Sequence, residues 1–300
     1  MGIQIGPVMI PWYGLFLVLG IFAGMALGYV LVRAFRLIYD DFIQIVCFVG
    51  LGAMAGSKLL YLIVSWKSID FSRLTDPEYF NALMSGGFVF YGGLLGGLLG
   101  LYLCGKILHI AVSDYARLLI PVIPLAHAFG RIGCALAGCC YGVPYDGPGA
   151  VVYAESLAAP NGMPLFPVQA LEAVLNLITA TVLCVYILHS RKRAERGIAE
   201  KILEKTPEKT RVRDGETDGW QTRLRSVELY LLFYASERFI LEFFRYDDSE
   251  RGILYGLSTS QWISIAVILA AAGRVLYLAK REKREVNTKS QNSFEKCDYT

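Results

Sequence analysis

Residues 127 to 142, HAFGRIGCALAGCCYG, set a His, an Arg, three Cys and four Gly into sixteen positions of an otherwise apolar chain. His127 and Arg131 are four apart, Cys134 is three further on and Gly138 four beyond that, so on a helix all four share one face. A second face of this kind is written in LYLLFYASERFILEFFRYDD, where Tyr234, Arg238, Glu242 and Arg245 follow at steps of four, four and three. FPVQALEAVL contributes Gln169 and Glu172, and FVFYGGLLGG contributes Tyr91 ahead of paired glycines. Arginine does not shed its charge, so Arg131, Arg238 and Arg245 bring permanent positive charge against Glu172 and Glu242. Complete mutual pairing would make a silent structural network. An excess of guanidinium would instead suit an anion that accepts two hydrogen bonds at once.

The elements that must hold these groups are hydrophobic. Of 300 residues, 55% are apolar and 18% charged, which falls outside the usual soluble balance, and the mean hydropathy of +0.45 agrees. Windows of about twenty residues run nearly free of charge, the length a helix needs to cross about 30 Å of hydrocarbon. The expected fold is all-α, a polytopic integral membrane protein with seven transmembrane helices at about 8 to 31, 42 to 64, 86 to 108, 117 to 138, 166 to 189, 226 to 246 and 258 to 279. The first span lacks a basic n-region and a small-residue cleavage site, so it reads as a retained helix rather than a signal peptide. Basic residues gather at Arg33, Arg36, Lys106, Arg117, the segment from Arg191 to Arg225 and the tail from Lys280, whereas residues 132 to 190 have none and the loop from Ser65 to Ser85 sets Lys67 and Arg73 against Asp70, Asp76 and Glu78. Lys and Arg stay on the cytoplasmic side of short loops, so the N-terminus is expected outside and the C-terminus cytoplasmic. The expected domains are a membrane domain over 1 to 280, with a cytoplasmic basic loop at about 191 to 225, and a disordered tail over 281 to 300.

That setting narrows the chemistry. The net charge of +3 follows from topology and inner-leaflet attraction, and no nucleic-acid partner is needed. Gly20, Gly24 and Gly28, Gly52 and Gly56, and Gly92, Gly96 and Gly100 form small-xxx-small series that let helices approach closely in lipid. A charged side chain at membrane depth costs about 2.5 to 3.5 kcal/mol, so each needs a partner or a role. In the outer half of a bilayer the abundant anion is a lipid phosphate, which makes a phospholipid site the sharper reading of the arginines.

The order PWYGLFLVLG, FVFYGGLLGG, GRIG, FPVQALE, YASERFILEFFR and LSTSQ, from residue 11 to about 261, resembles the bacterial prolipoprotein diacylglyceryl transferase family. The resemblance implies transfer of an sn-1,2-diacylglyceryl group from phosphatidylglycerol to the lipobox cysteine of a preprolipoprotein, leaving a thioether and releasing glycerol phosphate. It implies an enzyme of the bacterial plasma (inner) membrane with its site toward the outer leaflet, membrane lipids as surroundings, and no metal or redox cofactor. By position, it implies that Arg131 and Arg238 bind and stabilise the phosphate, while Tyr13, Glu172, Tyr234, Glu242, Arg245 and Gln261 build the surrounding site.

Two departures stand out. The family's His-Gly-Gly is here Tyr91-Gly92-Gly93, and its Arg-x-Gly-Asn is Arg131-Ile132-Gly133-Cys134. His127, one turn from Arg131, is the expected replacement base, and Tyr91 is left as a hydrogen-bond donor to lipid or peptide. Cys134, Cys139 and Cys140 admit three readings: small packing residues, a disulfide from Cys134 to one of the adjacent pair, or metal or thiol chemistry. No His or acidic residue completes a familiar zinc spacing nearby. Two rival functions are a related phospholipid-dependent transferase with a different acceptor and a non-catalytic lipid-binding or transport protein.

Overall fold

The computed structural model describes residues 2–6, 8–204, 224–246 and 252–297; Asp247, Asp248 and residues 205–223 of the basic segment lie outside them. A ribbon of β1 (Gly2–Ile5) and β2 (Val8–Pro11) leads into α1 (Trp12–Ala34), followed by α2 (Tyr39–Val64), α3 (Pro77–Ser85), α4 (Phe90–Leu108), α5 (Val112–Leu119) and α6 (Val122–Ala137). Next come β3 (Val151–Val152), β4 (Pro164–Leu165), α7 (Val168–Glu204), α8 (Ser226–Leu241), β5 (Ile253–Leu254), β6 (Leu257–Ser258) and α9 (Thr259–Cys297).

The chain is mostly helical, as the apolar runs require. Among the described residues α1, α2, α4, Val168–Lys192 of α7 and Thr259–Arg281 of α9 are long and apolar enough to cross a membrane. The pair α5 and α6, bent by 48°, makes a sixth. Pro121 lies at the bend, where it has no N–H to carry α5 onward. Helix α8, read from sequence as a span over 226 to 246, has 16 residues and falls short of that length. The all-α expectation fits; among the described residues there are also three two-stranded antiparallel ribbons, one ahead of α1 and two in connections between helices.

Two compact units make up the chain, Met1–Gly28 with Arg117–Thr300, and Tyr29–Ala116. In the second, α2 and α4 pack along their glycines. A Cβ at Gly52 would collide with the Gly96 carbonyl, and one at Gly96 with the Gly52 carbonyl, so only glycine permits the approach. Lys58 lies within the apolar run of α2, where its ammonium donates to the carbonyls of Leu83 and Gly86 at the end of α3, the latter at 2.6 Å. It also lies 4.8 Å from the ring centre of Tyr61. At the start of α3, Pro77 takes the first helical position and Asp76 caps it; the Glu78 N–H holds the Asp76 carboxyl below its ordinary range.

In the first unit, α1 lies on α6 through small residues: a Cβ on Gly20 would stand 2.9 Å from Phe129 Cβ, and one on Gly24 2.9 Å from Val122 Cγ1. Helices α6 and α7, α7 and α8, and α8 and α9 are neighbours. The buried stripe of α7 runs through Gln169, Glu172, Asn176, Thr179, Leu183 and Ile187, polar at its start and apolar further on. Glu228 of α8 and Arg274 of α9 form an ion pair at 2.7 Å.

Candidate functional site

Glu172, 3% exposed on α7, is the hub of the site. Its carboxylate lies 2.8 Å from Arg131 Nε of α6, 3.5 Å from Arg238 Nη1 of α8 and 3.9 Å from Arg245 Nη1. These distances bring three guanidinium groups around one anion, the convergence that the two polar helix faces predicted for Arg131 and Arg238. The contacts are ionic rather than fully aligned. Arg131 Nε, Glu172 Oε2 and Arg238 Nη1 are buried and meet as ion pairs without the alignment of a hydrogen bond. Among the described residues, Arg131 forms its ion pair through Nε.

Arg238 is held from its other side by Glu242, whose Oε2 lies 2.6 Å from Nη2, and Ser260 Oγ stands at 3.4 Å. Glu242 in turn accepts from Ser258 Oγ at 2.8 Å. Ser258 precedes α9 and closes a capping box with Gln261: the Gln261 N–H donates to Ser258 Oγ at 3.2 Å, and the Ser258 N–H donates to Gln261 Oε1 at 2.9 Å. The Gln261 amide therefore closes the start of a helix, and through Ser258 it fixes Glu242. The motif Ser-Thr-Ser-Gln carried this signal in the sequence.

Arg245 reaches the hub by a route that helical spacing does not give. Helix α8 ends at Leu241, Glu242–Phe244 make one 3-10 turn, and Arg245 is extended, with φ −96° and ψ 141°. It bridges Gly142, while Val143 N–H donates to Phe244 O at 3.0 Å and Tyr246 N–H to Tyr141 O at 3.3 Å. The expectation that Tyr234, Arg238, Glu242 and Arg245 share one helix face is corrected for Arg245: backbone pairing to the segment after α6 places it. A side chain at Gly142 would strike the carbonyl of Phe166, so this stitch needs glycine. Arg245 is 3% exposed, so its charge is buried with the cluster.

A second polar patch lies beside the hub. The His127 and Tyr234 rings are 5.6 Å apart, and Tyr234 stacks on Tyr230 at 5.8 Å. Asn176, 1% exposed, donates to Glu172 O and to Glu237 Oε1, both at 2.9 Å, and its side chain also meets His127. Glu237 of α8 is thus tied to α7. Asn176 was missed, yet it stands four residues after Glu172 on the same face.

At the end of α6, Gly138 takes a left-handed cap, φ 70°, and the Cys139 N–H donates to Cys134 O at 3.2 Å. Cys140 is also left-handed, φ 55°. The reversal gathers the sulfurs of Cys134, Cys139 and Cys140, which all lie within 4.8 Å of one another, and all three are free thiols. Gln169 Nε2 donates to Cys139 O at 2.9 Å, and the Tyr153 hydroxyl to Ala135 O at 2.9 Å, so α7 and the loop ahead of it fix the turn. Arg131 and Arg245 both lie within electrostatic reach of Cys140. Tyr13, half-exposed on the first turn of α1, faces the same three cysteines and Arg131. Its backbone is pressed against Gly133, where an added Cβ would come within 3.1 Å of Tyr13 Cα. Tyr91 belongs to the other unit: it opens α4, is 52% exposed and sets its ring 5.8 Å from that of Phe90.

Comparison with known proteins addresses the family. The sequence profile of the family described as prolipoprotein diacylglyceryl transferase matches residues 1–201 and 213–277. A Clostridium perfringens protein named phosphatidylglycerol–prolipoprotein diacylglyceryl transferase 2 is 31% identical over 238 residues, covering 79% of this chain and 78% of its own. A Clostridium tetani phosphatidylglycerol–prolipoprotein diacylglyceryl transferase is 35% identical over 231 residues, 77% of this chain and 78% of its own. The protein of that name from Bordetella bronchiseptica is 28% identical over 286 residues, 94% and 96% of the two chains. By the extent of the profile match and the identity to these relatives, the chain belongs to the prolipoprotein diacylglyceryl transferase family.

Proposed function

We propose that this protein transfers a diacylglyceryl group from phosphatidylglycerol to the cysteine thiol of a prolipoprotein. The observation that carries the site assignment is the convergence of three buried guanidinium groups, Arg131, Arg238 and Arg245, on the carboxylate of Glu172, with Glu242 beside Arg238. A phosphodiester brings oxygens that offset the remaining positive charge. Glu172 and Glu242 hold the guanidiniums in place beforehand, so little reorganisation is needed when charge develops.

The chemistry follows from that placement. A thiolate attacks the glyceryl carbon, the carbon–sulfur bond forms, the carbon–oxygen bond to phosphate breaks, and glycerol phosphate leaves with the electron pair. Negative charge grows on the departing phosphate, and guanidinium groups in a dry setting stabilise it more than exposed ones would. His127, beside Tyr234 and one turn from Arg131, takes the base role that the substitution at Tyr91 leaves open. Tyr13 and Tyr234 line the reacting end, Arg245 adds positive charge, and Gln261 acts as a positioning residue through Ser258 and Glu242. Tyr91 serves as a hydrogen-bond donor to lipid or peptide.

The same reading makes α8 the seventh span, with the N-terminus outside, the basic segment 191 to 225 and the tail cytoplasmic, and the site toward the outer leaflet of the plasma membrane. The basic residues of the sequence support it. Purified protein incubated with phosphatidylglycerol and a lipobox peptide should add the mass of one diacylglyceryl group to the peptide. A peptide that stays unmodified while lipid still binds would sink the transferase assignment and favour a lipid-binding role.

A further inference from the structure

The three-cysteine turn at the end of α6 has no part in the reaction as written above, although it adjoins Arg131 and Arg245. We propose that Cys134, Cys139 and Cys140 form a three-thiolate site for zinc whose open fourth position receives the acceptor thiol. This deepens the transferase reading and rests on it for the identity of that thiol.

Three features point to a metal rather than to packing or a disulfide. First, a disulfide uses two sulfurs, whereas here three free thiols converge on one point, all within 4.8 Å of one another. Tetrahedral thiolate sites have zinc–sulfur bonds of about 2.3 Å, which sets the sulfurs about 3.8 Å apart, so the cluster needs only a small contraction. Second, Cys140 keeps a left-handed backbone, φ 55°, that a non-glycine residue rarely adopts outside a constrained site. It turns the third sulfur toward the other two. Third, the donor set and its charge agree. Three thiolates and a divalent ion carry one negative charge, a bound acceptor thiolate makes two, and Arg131 and Arg245 stand beside the cluster to offset them.

Catalytic zinc sites keep three protein ligands and one open position, and a thiol that binds there loses its proton. The lipobox cysteine would enter as the fourth ligand. Its proton leaves as the zinc–sulfur bond forms, the metal-held thiolate attacks the glyceryl carbon, and the zinc is not consumed. On this geometry the base need not touch the sulfur. His127 lies seven residues before Cys134, about 10 Å along the helix at 1.5 Å per residue, and takes up the proton by way of solvent. The site would thus make nucleophile and electrophile meet, with thiolate at the end of α6 and phosphate at the guanidiniums one turn below.

Cobalt, a spectroscopic stand-in for zinc, tests this in the full-length reduced protein in lipid nanodiscs. The expected result is about one equivalent of metal with an intense thiolate-to-cobalt band, falling at least tenfold in Cys139→Ser and in Cys134→Ser. The ligand-field bands should then shift when a lipobox peptide is added and stay fixed with the peptide's Cys→Ser analogue. Retained phosphatidylglycerol binding shows that each variant is folded. No thiolate band, a band unchanged in Cys139→Ser, or no response to the peptide thiol overturns the site. Full transfer activity after chelation overturns it too, while leaving the transferase reading intact. Peptide coordination without any diacylglyceryl gain sinks the transferase reading and keeps the metal site.

Discussion

The α2–α4 pair and the α6–α7–α8 cluster meet the same requirement, holding helices together where apolar contact offers little preference over lipid, by opposite means. Along α2 and α4 the contact is glycine on backbone carbonyl, Gly52 against Gly96 and Gly56 against Gly92. Lys58, the charge in that stretch of α2, is covered by carbonyls at the end of α3. Between α6, α7 and α8 the contact is instead Arg131, Glu172, Arg238 and Glu242, charges whose removal from water costs several kcal/mol each. Close backbone packing shows that charge is not needed to bind helices here. The expensive solution is found where the proposed function has a phosphate recognised.

Substitutions in each region test that contrast. Glu172→Ala should have the largest effect, destabilising the fold by about 3–5 kcal/mol because it strands buried arginines, read as a lowered thermal midpoint in nanodiscs. Arg131→Ala and Arg238→Ala should each slow diacylglyceryl transfer about 10²- to 10³-fold, and lysine at either place should not restore it, since an ammonium lacks the planar fork. His127→Ala should lower the transfer rate about 10²-fold while leaving phosphatidylglycerol binding in place, and an unchanged rate would remove it as a base. In the other region, Gly96→Val should cost about 1–3 kcal/mol of stability by overpacking, with no change in the phosphate affinity of the arginines. Ser258→Ala, which loses a helix cap and the Glu242 bond, should cost about 1 kcal/mol and weaken lipid binding slightly. A Gly96→Val protein that lost phosphate affinity while remaining folded would dissolve the division of labour between the two regions.

Much of the cluster was legible because charges in apolar helices are rare and their spacing is periodic. Arg131, Glu172, Arg238 and Glu242 were found on that ground, and the structure brings them together. Asn176 escaped because an uncharged amide is unremarkable by composition, although its step of four from Glu172 placed it on the same face. Arg245 was assigned by extending the period of α8 past its end; the strand bridge to Gly142 depends on a segment a hundred residues away and leaves no local periodic trace. Gln261 came through family position, and the capping box that occupies its amide was readable in four residues. The convergence of the cysteines could not be read from spacing, since it turns on left-handed backbone at Gly138 and Cys140, and only the first is a glycine.

The shortness of α8 has a consequence for the bilayer itself. Sixteen residues rise about 24 Å, less than the roughly 30 Å of hydrocarbon that a spanning helix must match. A membrane beside such a helix thins locally or lets headgroups sink to relieve the mismatch. Arg238 sits in the last turn of that helix, so on the proposed reading of α8 as a span the deformation would lower phosphates toward the guanidinium instead of requiring a lipid to be lifted out of its leaflet. Transfer rates in bilayers of graded acyl-chain length would register this, with thicker membranes giving slower turnover.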